Sequence, residues 1–138
     1  MRRYLLDTGI AGHLIAKRKG VDERVRQAVL QGTRVGICMP VLGELWAGMY
    51  GSDSRDRNIQ QMKHALARLR IWPFDRKAAE EYGRIFAELK RLGRPMQQID
   101  IQIAAIAFGL GKCTVVSGDS DLAAVPGLKV ENWVSGSG

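Results

Sequence analysis

Four carboxylates stand in this chain where an acid has few ordinary uses: Asp7, Glu44, Asp100 and Asp119. Asp7 ends the apolar run Tyr4-Leu5-Leu6, and Glu44 stands between Leu42 and Leu45. Asp100 is embedded in Ile99-Asp100-Ile101-Gln102-Ile103-Ala104-Ala105, and Asp119 follows Val115-Val116-Ser117. An unpaired buried carboxylate is costly or takes up a proton. The pattern therefore predicts a compensating partner for each acid. Basic residues are sparse beside them, Lys112 being the closest in the C-terminal part. One shared divalent cation would compensate all four. Carboxylate oxygens suit a hard ion such as Mg²⁺, or Mn²⁺ in its place. A cation held this way can position a phosphate and activate a water.

Each acid also has an ordinary use. Asp7 and Asp119 are natural helix N-caps. Glu44 would favour a helix N-terminal dipole, and Asp100 could pair with a distant arginine. Four separate explanations are less economical than one cation. Asp121, in Asp119-Ser120-Asp121, reads as a cap first and a further metal ligand second.

The elements that must position these acids follow from periodicity. Arg3 to Asp7 reads as a short buried strand, followed by a helix carrying Ile10, Leu14 and Ile15. Val21, Val25, Ala28 and Val29 recur at helical spacing. Val35 to Met39 is a β-type run, and Pro40 opens a helix that closes at Gly51. Ile59, Met62, Leu66 and Leu69 mark another helix face, and Ile71 to Phe74 is a strand or an extended link. Ala78 through Leu92 is strongly amphipathic. Gln97 to Leu110 is apolar nearly all round and predicts a buried helix. Thr114 to Ser117 and Leu128 to Glu131 complete the strands. Strands alternating with helices predict an α/β fold: a central parallel sheet flanked by helices on both faces. Ligands of such sheets sit at the carboxyl ends of the strands, just where Asp7, Glu44 and Asp119 fall.

The chain has 138 residues, 46% of them hydrophobic, which suits one domain over residues 1–134. Residues 135–138, Ser-Gly-Ser-Gly, read as a flexible tail or a cloning scar. No apolar run is long enough to cross a bilayer and no signal peptide is apparent, so the expected location is cytoplasmic. Cys38 and Cys113 read as reduced small hydrophobes. The formal net charge is +7. Residues 55–94 carry 11 basic against 5 acidic side chains, most of the excess. Such a surface suits a polyanion, and Arg55, Arg57, Lys63, Arg68 and Arg70 are candidate RNA contacts. A solvated helix face would carry the same charges. Trp46, Trp72 and Trp133 read as packing residues more than base platforms, and His13 and His64 as helix-face residues.

The motifs resemble those of the PIN-domain nucleases, and among them the VapC toxins. Tyr4-Leu5-Leu6-Asp7-Thr8 is similar to the family's first motif, and Val41-Leu42-Gly43-Glu44-Leu45-Trp46-Ala47-Gly48 to the second. Gly93-Arg94-Pro95 leading to Ile99 through Ala107 resembles the third, and Val115 through Asp121 the fourth. The resemblance covers nearly the whole chain. It implies that Asp7, Glu44, Asp100 and Asp119 bind one or two Mg²⁺ ions. It implies hydrolysis of RNA, transfer RNA first and ribosomal RNA second, by an activated water. It also implies a homodimer and a VapB-like antitoxin that covers a groove near the site with a short amphipathic segment. Thr8 and Ser117 would orient the acids or their waters. The chain departs from the family at Gly9, where Asn is usual, at Ser117, often Thr, and at Leu122, often Phe.

Three other readings stand beside this one. A PIN nuclease of RNA maturation would share the fold and chemistry without being a toxin. Leu5-Leu6-Asp7-Thr8-Gly9 also resembles the signature of dimeric aspartic proteases, whose fold is almost all strand. An inactive RNA-binding scaffold is the third reading, against which the four intact acids argue.

Overall fold

The computed structural model describes residues 2–134. The expected tail at 135–138 lies outside the described residues. Five strands form a single parallel sheet in the order β3-β2-β1-β4-β5. They are β1 (Arg3–Leu6), β2 (Arg34–Cys38), β3 (Arg70–Trp72), β4 (Cys113–Val116) and β5 (Val130–Glu131). Leu5, Leu6, Ile37, Cys38, Val115 and Val116 are completely buried, as strands covered on both faces require.

Seven helices connect the described strands. They are α1 (Thr8–Ile15), α2 (Val21–Leu30), α3 (Met39–Tyr50), α4 (Arg55–Leu66), α5 (Arg76–Arg91), α6 (Gln98–Leu110) and α7 (Ser120–Ala123). Right-handed crossovers put α1 to α4 on one face and α5 to α7 on the other. The packing agrees: α1 meets α2, α3 and α4, whereas α6 lies along α5 and against α7. The expected α/β/α sandwich is the fold observed. α6 is buried nearly all round, including Ala104 through Ala107.

Local chemistry sets the element ends. Pro40 sits in the first turn of α3, where no intrahelical donor is lost. Asp75 caps α5 by accepting from the Ala78 N–H at 2.9 Å, and Gly93 closes that helix with φ 67°. Two sequence expectations need correction. α4 stops at Leu66, and Leu69 falls in the following turn, its N–H on the Leu66 carbonyl. β5 starts at Val130, not Leu128, because Leu128 closes a turn onto the Val125 carbonyl. Ser120–Ala123 forms the short helix that the N-cap reading of Asp119 anticipates.

The chain runs from β1 through β2 to β3 on one side, then crosses to β4 and β5 on the other. Between β1 and β4 the carboxyl ends open into a crevice, the usual ligand position of such sheets. Asp7 follows β1 there directly, and Asp119 follows β4 after Ser117 and Gly118.

Candidate active site

Asp7 leaves β1 in extended conformation and caps α1, its Oδ1 accepting from the Ile10 N–H at 2.9 Å. Beyond β4 the buried Ser117 hydroxyl accepts from the Asp119 N–H at 2.9 Å. Asp119 caps α7 by accepting from the Asp121 N–H at 2.8 Å. Both acids are thus helix caps and both line the crevice. The two uses coincide because a cap occupies only part of a carboxylate's acceptor capacity. The cap of α7 is Asp119, not Asp121. Asp121 lies inside the first turn, where its side chain is free to point elsewhere.

Asp100 comes from the first turn of α6. Glu44 comes from the second turn of α3, and its Oε1 accepts from the Thr8 hydroxyl at 2.5 Å. Asp7, Gly9, His13, Glu44, Asp100 and Asp119 line one cleft of about 430 Å³. A larger hollow, about 670 Å³, opens at the other end of β4 beside Phe108 and Lys112 and holds a single acid, Glu131.

The acids do not share one environment. Asp100 is buried at 8% exposure and Asp7 is half-buried, but Glu44 and Asp119 are exposed. The expectation that all four are costly to bury therefore holds only for the first two. Flanking apolar residues in sequence misled here, since α3 turns Leu45 inward and Glu44 outward.

Charge crowding is nevertheless plain. The Asp100 carboxyl is pushed up to about 6, first by burial, then by Asp119, Asp121, Asp7 and Glu44. Burial also raises Asp7, helped by Asp119 and opposed by the Ser117 hydroxyl, the Ile10 N–H and His13. Asp100, Asp119 and Asp121 each offer a carboxylate oxygen, and these lie within 4.8 Å of one another. An all-oxygen, multiply anionic set whose buried member is hindered from ionising by its neighbours fits a hard divalent ion.

The PIN domain family profile matches residues 4–128, carrying all of these acids. This chain belongs to the PIN-domain family. Within it, the chain is 33% identical over 133 residues to the "tRNA(fMet)-specific endonuclease VapC" of Shigella flexneri, covering 96% of this chain and 99% of that one. It is 32% identical to "Ribonuclease VapC2" of Haemophilus influenzae, covering 97% of this chain and 100% of the relative. The solved structure of VapBC2 from Rickettsia felis, bound to a DNA fragment from its promoter, superposes with TM-score 0.88. That match has 27% identity and covers 95% of this chain and 98% of the other. The protease reading falls with the fold. Thr8 and Gly9 of the Asp7-Thr8-Gly9 tripeptide are helical, and the sheet is parallel with helices on both faces.

Around the PIN acids, the structure places the hydroxyls as follows. Ser117 lies between Asp7, which it stabilises as an anion, and the Asp119 backbone. Thr8 holds Glu44. Thr8→Val should lower divalent-metal affinity about 10-fold or more, the usual cost of removing a group that orients a ligand. Calorimetric titration with Mn²⁺ checks this, and unchanged affinity would confine Thr8 to helix formation.

The five basic residues proposed as RNA contacts are all exposed, and none lines the PIN cleft. Arg68 is paired with Asp22 on α2 at 3.0 Å. Arg55 and Arg57 surround a shallow hollow with Asp53 and Asp56, Lys63 is in the last turn of α4, and Arg70 opens β3. Two groups near the site went unrecognised in the sequence. Arg94, on the α5–α6 loop, pairs with Asp121 at 3.1 Å. His13 lines the cleft itself. Its spacing was the available signal, since α1 begins directly after Asp7 and its side chains lean back toward that end.

Proposed function

We propose that this protein is a metal-dependent endoribonuclease and the toxin of a toxin–antitoxin pair. The observation that carries the reading is the acid cluster at the β1/β4 crevice, in a chain whose relatives are named ribonucleases. Asp7, Glu44, Asp100 and Asp119, with Asp121, would hold Mg²⁺ or Mn²⁺. The ion supplies a more acidic bound water and a polarised phosphate. The chain's own part is orientation: Ser117 fixes Asp7 and Asp119, Thr8 fixes Glu44, and the caps of α1 and α7 hold the ends of β1 and β4 in place.

The substrate is RNA, with transfer RNA first and ribosomal RNA second. The exposed basic residues of α4 and its flanks, Arg55, Arg57, Lys63, Arg68 and Arg70, would meet its phosphates. A VapB-like antitoxin would cover the groove near the site, and the toxin would act as a cytoplasmic homodimer. The Rickettsia felis structure contains the paired VapBC2 assembly, which favours a toxin over a maturation enzyme. Among the described residues no helix is long and apolar enough to cross a membrane.

Purified protein should cut total cellular RNA into discrete fragments in Mg²⁺ or Mn²⁺ and leave it intact in EDTA. The fragment ends would name the target. Cleavage that persists undiminished in EDTA would overturn the metal-acid reading.

A further inference from the structure

Two polar side chains of the cleft, His13 and Gln97, have no part in the roles above, and His13 is the one whose ring is partly sealed. His13 sits in the last turn of α1 and lines the cleft with Asp7, Gly9 and Asp119. Its Nδ1 is sealed from solvent and has no hydrogen-bond partner, whereas Nε2 is not sealed in this way. Orphaned buried N–H groups are rarer and costlier than orphaned acceptors. A proton on Nδ1 would be orphaned there, so the donor that the ring can present to a ligand is Nε2–H. What it offers the cleft is a single N–H donor.

The place of this donor is informative. Side chains on a helix lean toward its N-terminus, so residue i+4 covers the surface above residue i. His13 thus lies one turn on from Gly9, on the same face of α1. A Cβ at Gly9 would meet only Asp7 Oδ1, at 3.8 Å, so the space above it is open. Thr8, the neighbouring polar side chain, is already engaged by Glu44. The remaining titratable groups lining the cleft are Asp7, Glu44, Asp100 and Asp119, all acids. A polyanion entering the cleft finds one side-chain donor on the α1 wall, and it is His13.

We propose that His13 is a substrate-positioning residue: its Nε2–H donates to a non-bridging phosphate oxygen of RNA lying over the acids. The inference rests on the ribonuclease reading. The test measures RNA binding in the Asp100→Asn background, in Mn²⁺, and cleavage in the active protein. His13→Ala should weaken binding and raise KM about 10-fold, the size of one hydrogen bond to a charged group, with kcat nearly unchanged. His13→Gln, which keeps an N–H donor, should restore most of the loss. Mn²⁺ affinity without RNA should stay the same throughout. Should His13→Ala unfold, His13→Phe keeps the ring's bulk without the donor and should show the same loss.

Unchanged RNA affinity in the Ala and Phe variants would overturn the proposal. A fall in Mn²⁺ affinity that accounts for the lost RNA binding would also overturn it, making His13 a prop for the acids. If the parent protein neither binds nor cuts RNA, the ribonuclease reading itself fails and takes this assignment with it.

Discussion

Asp100→Asn should reduce RNA cleavage by a factor on the order of a thousand or more while making the metal-free protein more stable. The two effects have one cause. Asp100 is the buried member of the cluster, and its carboxyl is pushed from 3.8 up to about 6 by burial and by Asp119, Asp121, Asp7 and Glu44. At neutral pH that shift corresponds to roughly 3 kcal/mol held against the folded state. Asn keeps the shape and removes the charge, so the repulsion goes and so does the ligand that Asp100 is proposed to give the ion. The sign of the pH dependence follows. The folded state binds this proton more tightly than the unfolded chain. Its stabilising effect is full below 3.8 and is lost as pH rises through about 6. In EDTA the native protein should therefore melt several degrees lower at pH 7.5 than at pH 5, and Asp100→Asn should flatten that difference. Scanning calorimetry with and without Mg²⁺ measures both. A variant less stable than the native protein at pH 7.5 in EDTA would mean that Asp100 is a structural anchor. A variant that still cuts RNA would remove it from the metal site.

The order of strands and helices could be read from the sequence because each element carries its own period. Leu5-Leu6 and Val115-Val116 are apolar runs too short for helices, and α5 repeats its apolar residues at helical spacing from Ala78 to Leu92. The acids were found by the same logic, as charges interrupting apolar patterns. That logic has a limit, visible at Glu44. Neighbours in sequence on a helix point in different directions, so Leu45 is buried while Glu44 is exposed. Asp121 shows a second limit. Its sequence offers two identical turn acids, and only the backbone geometry decides that Asp119 caps and Asp121 does not. Arg94 shows a third limit. It stands in the Gly93-Arg94-Pro95 stretch, but the acid it pairs with lies 27 residues away, and for His13 the spacing from Asp7 was the one local signal.

Gly36→Val should be the most damaging single substitution for stability, lowering it by about 3 kcal/mol or more. Gly36 lies in β2, flanked by Leu5 of β1 on one side and Arg70 of β3 on the other. Its backbone conformation is an ordinary one, so the requirement is for space and not for dihedral freedom. A Cβ there would fall 2.8 Å from the Arg70 Cβ and 2.9 Å from its carbonyl carbon, with the carbonyl oxygen nearer still. A backbone atom cannot swing aside as a side-chain tip can. β3 has only three residues and a single partner strand, so it would be displaced. β2 runs directly into α3, which carries Glu44, so activity should fall along with stability. Gly12→Ala is the matched control. It lies within α1 with nothing within 4 Å of the added carbon, and should be neutral or stabilising by up to about 1 kcal/mol. Urea unfolding of the two variants gives the comparison. A Gly36→Val protein within 1 kcal/mol of the native one would show that β3 can shift without loss, and that the sheet is anchored at β1, β2 and β4 alone.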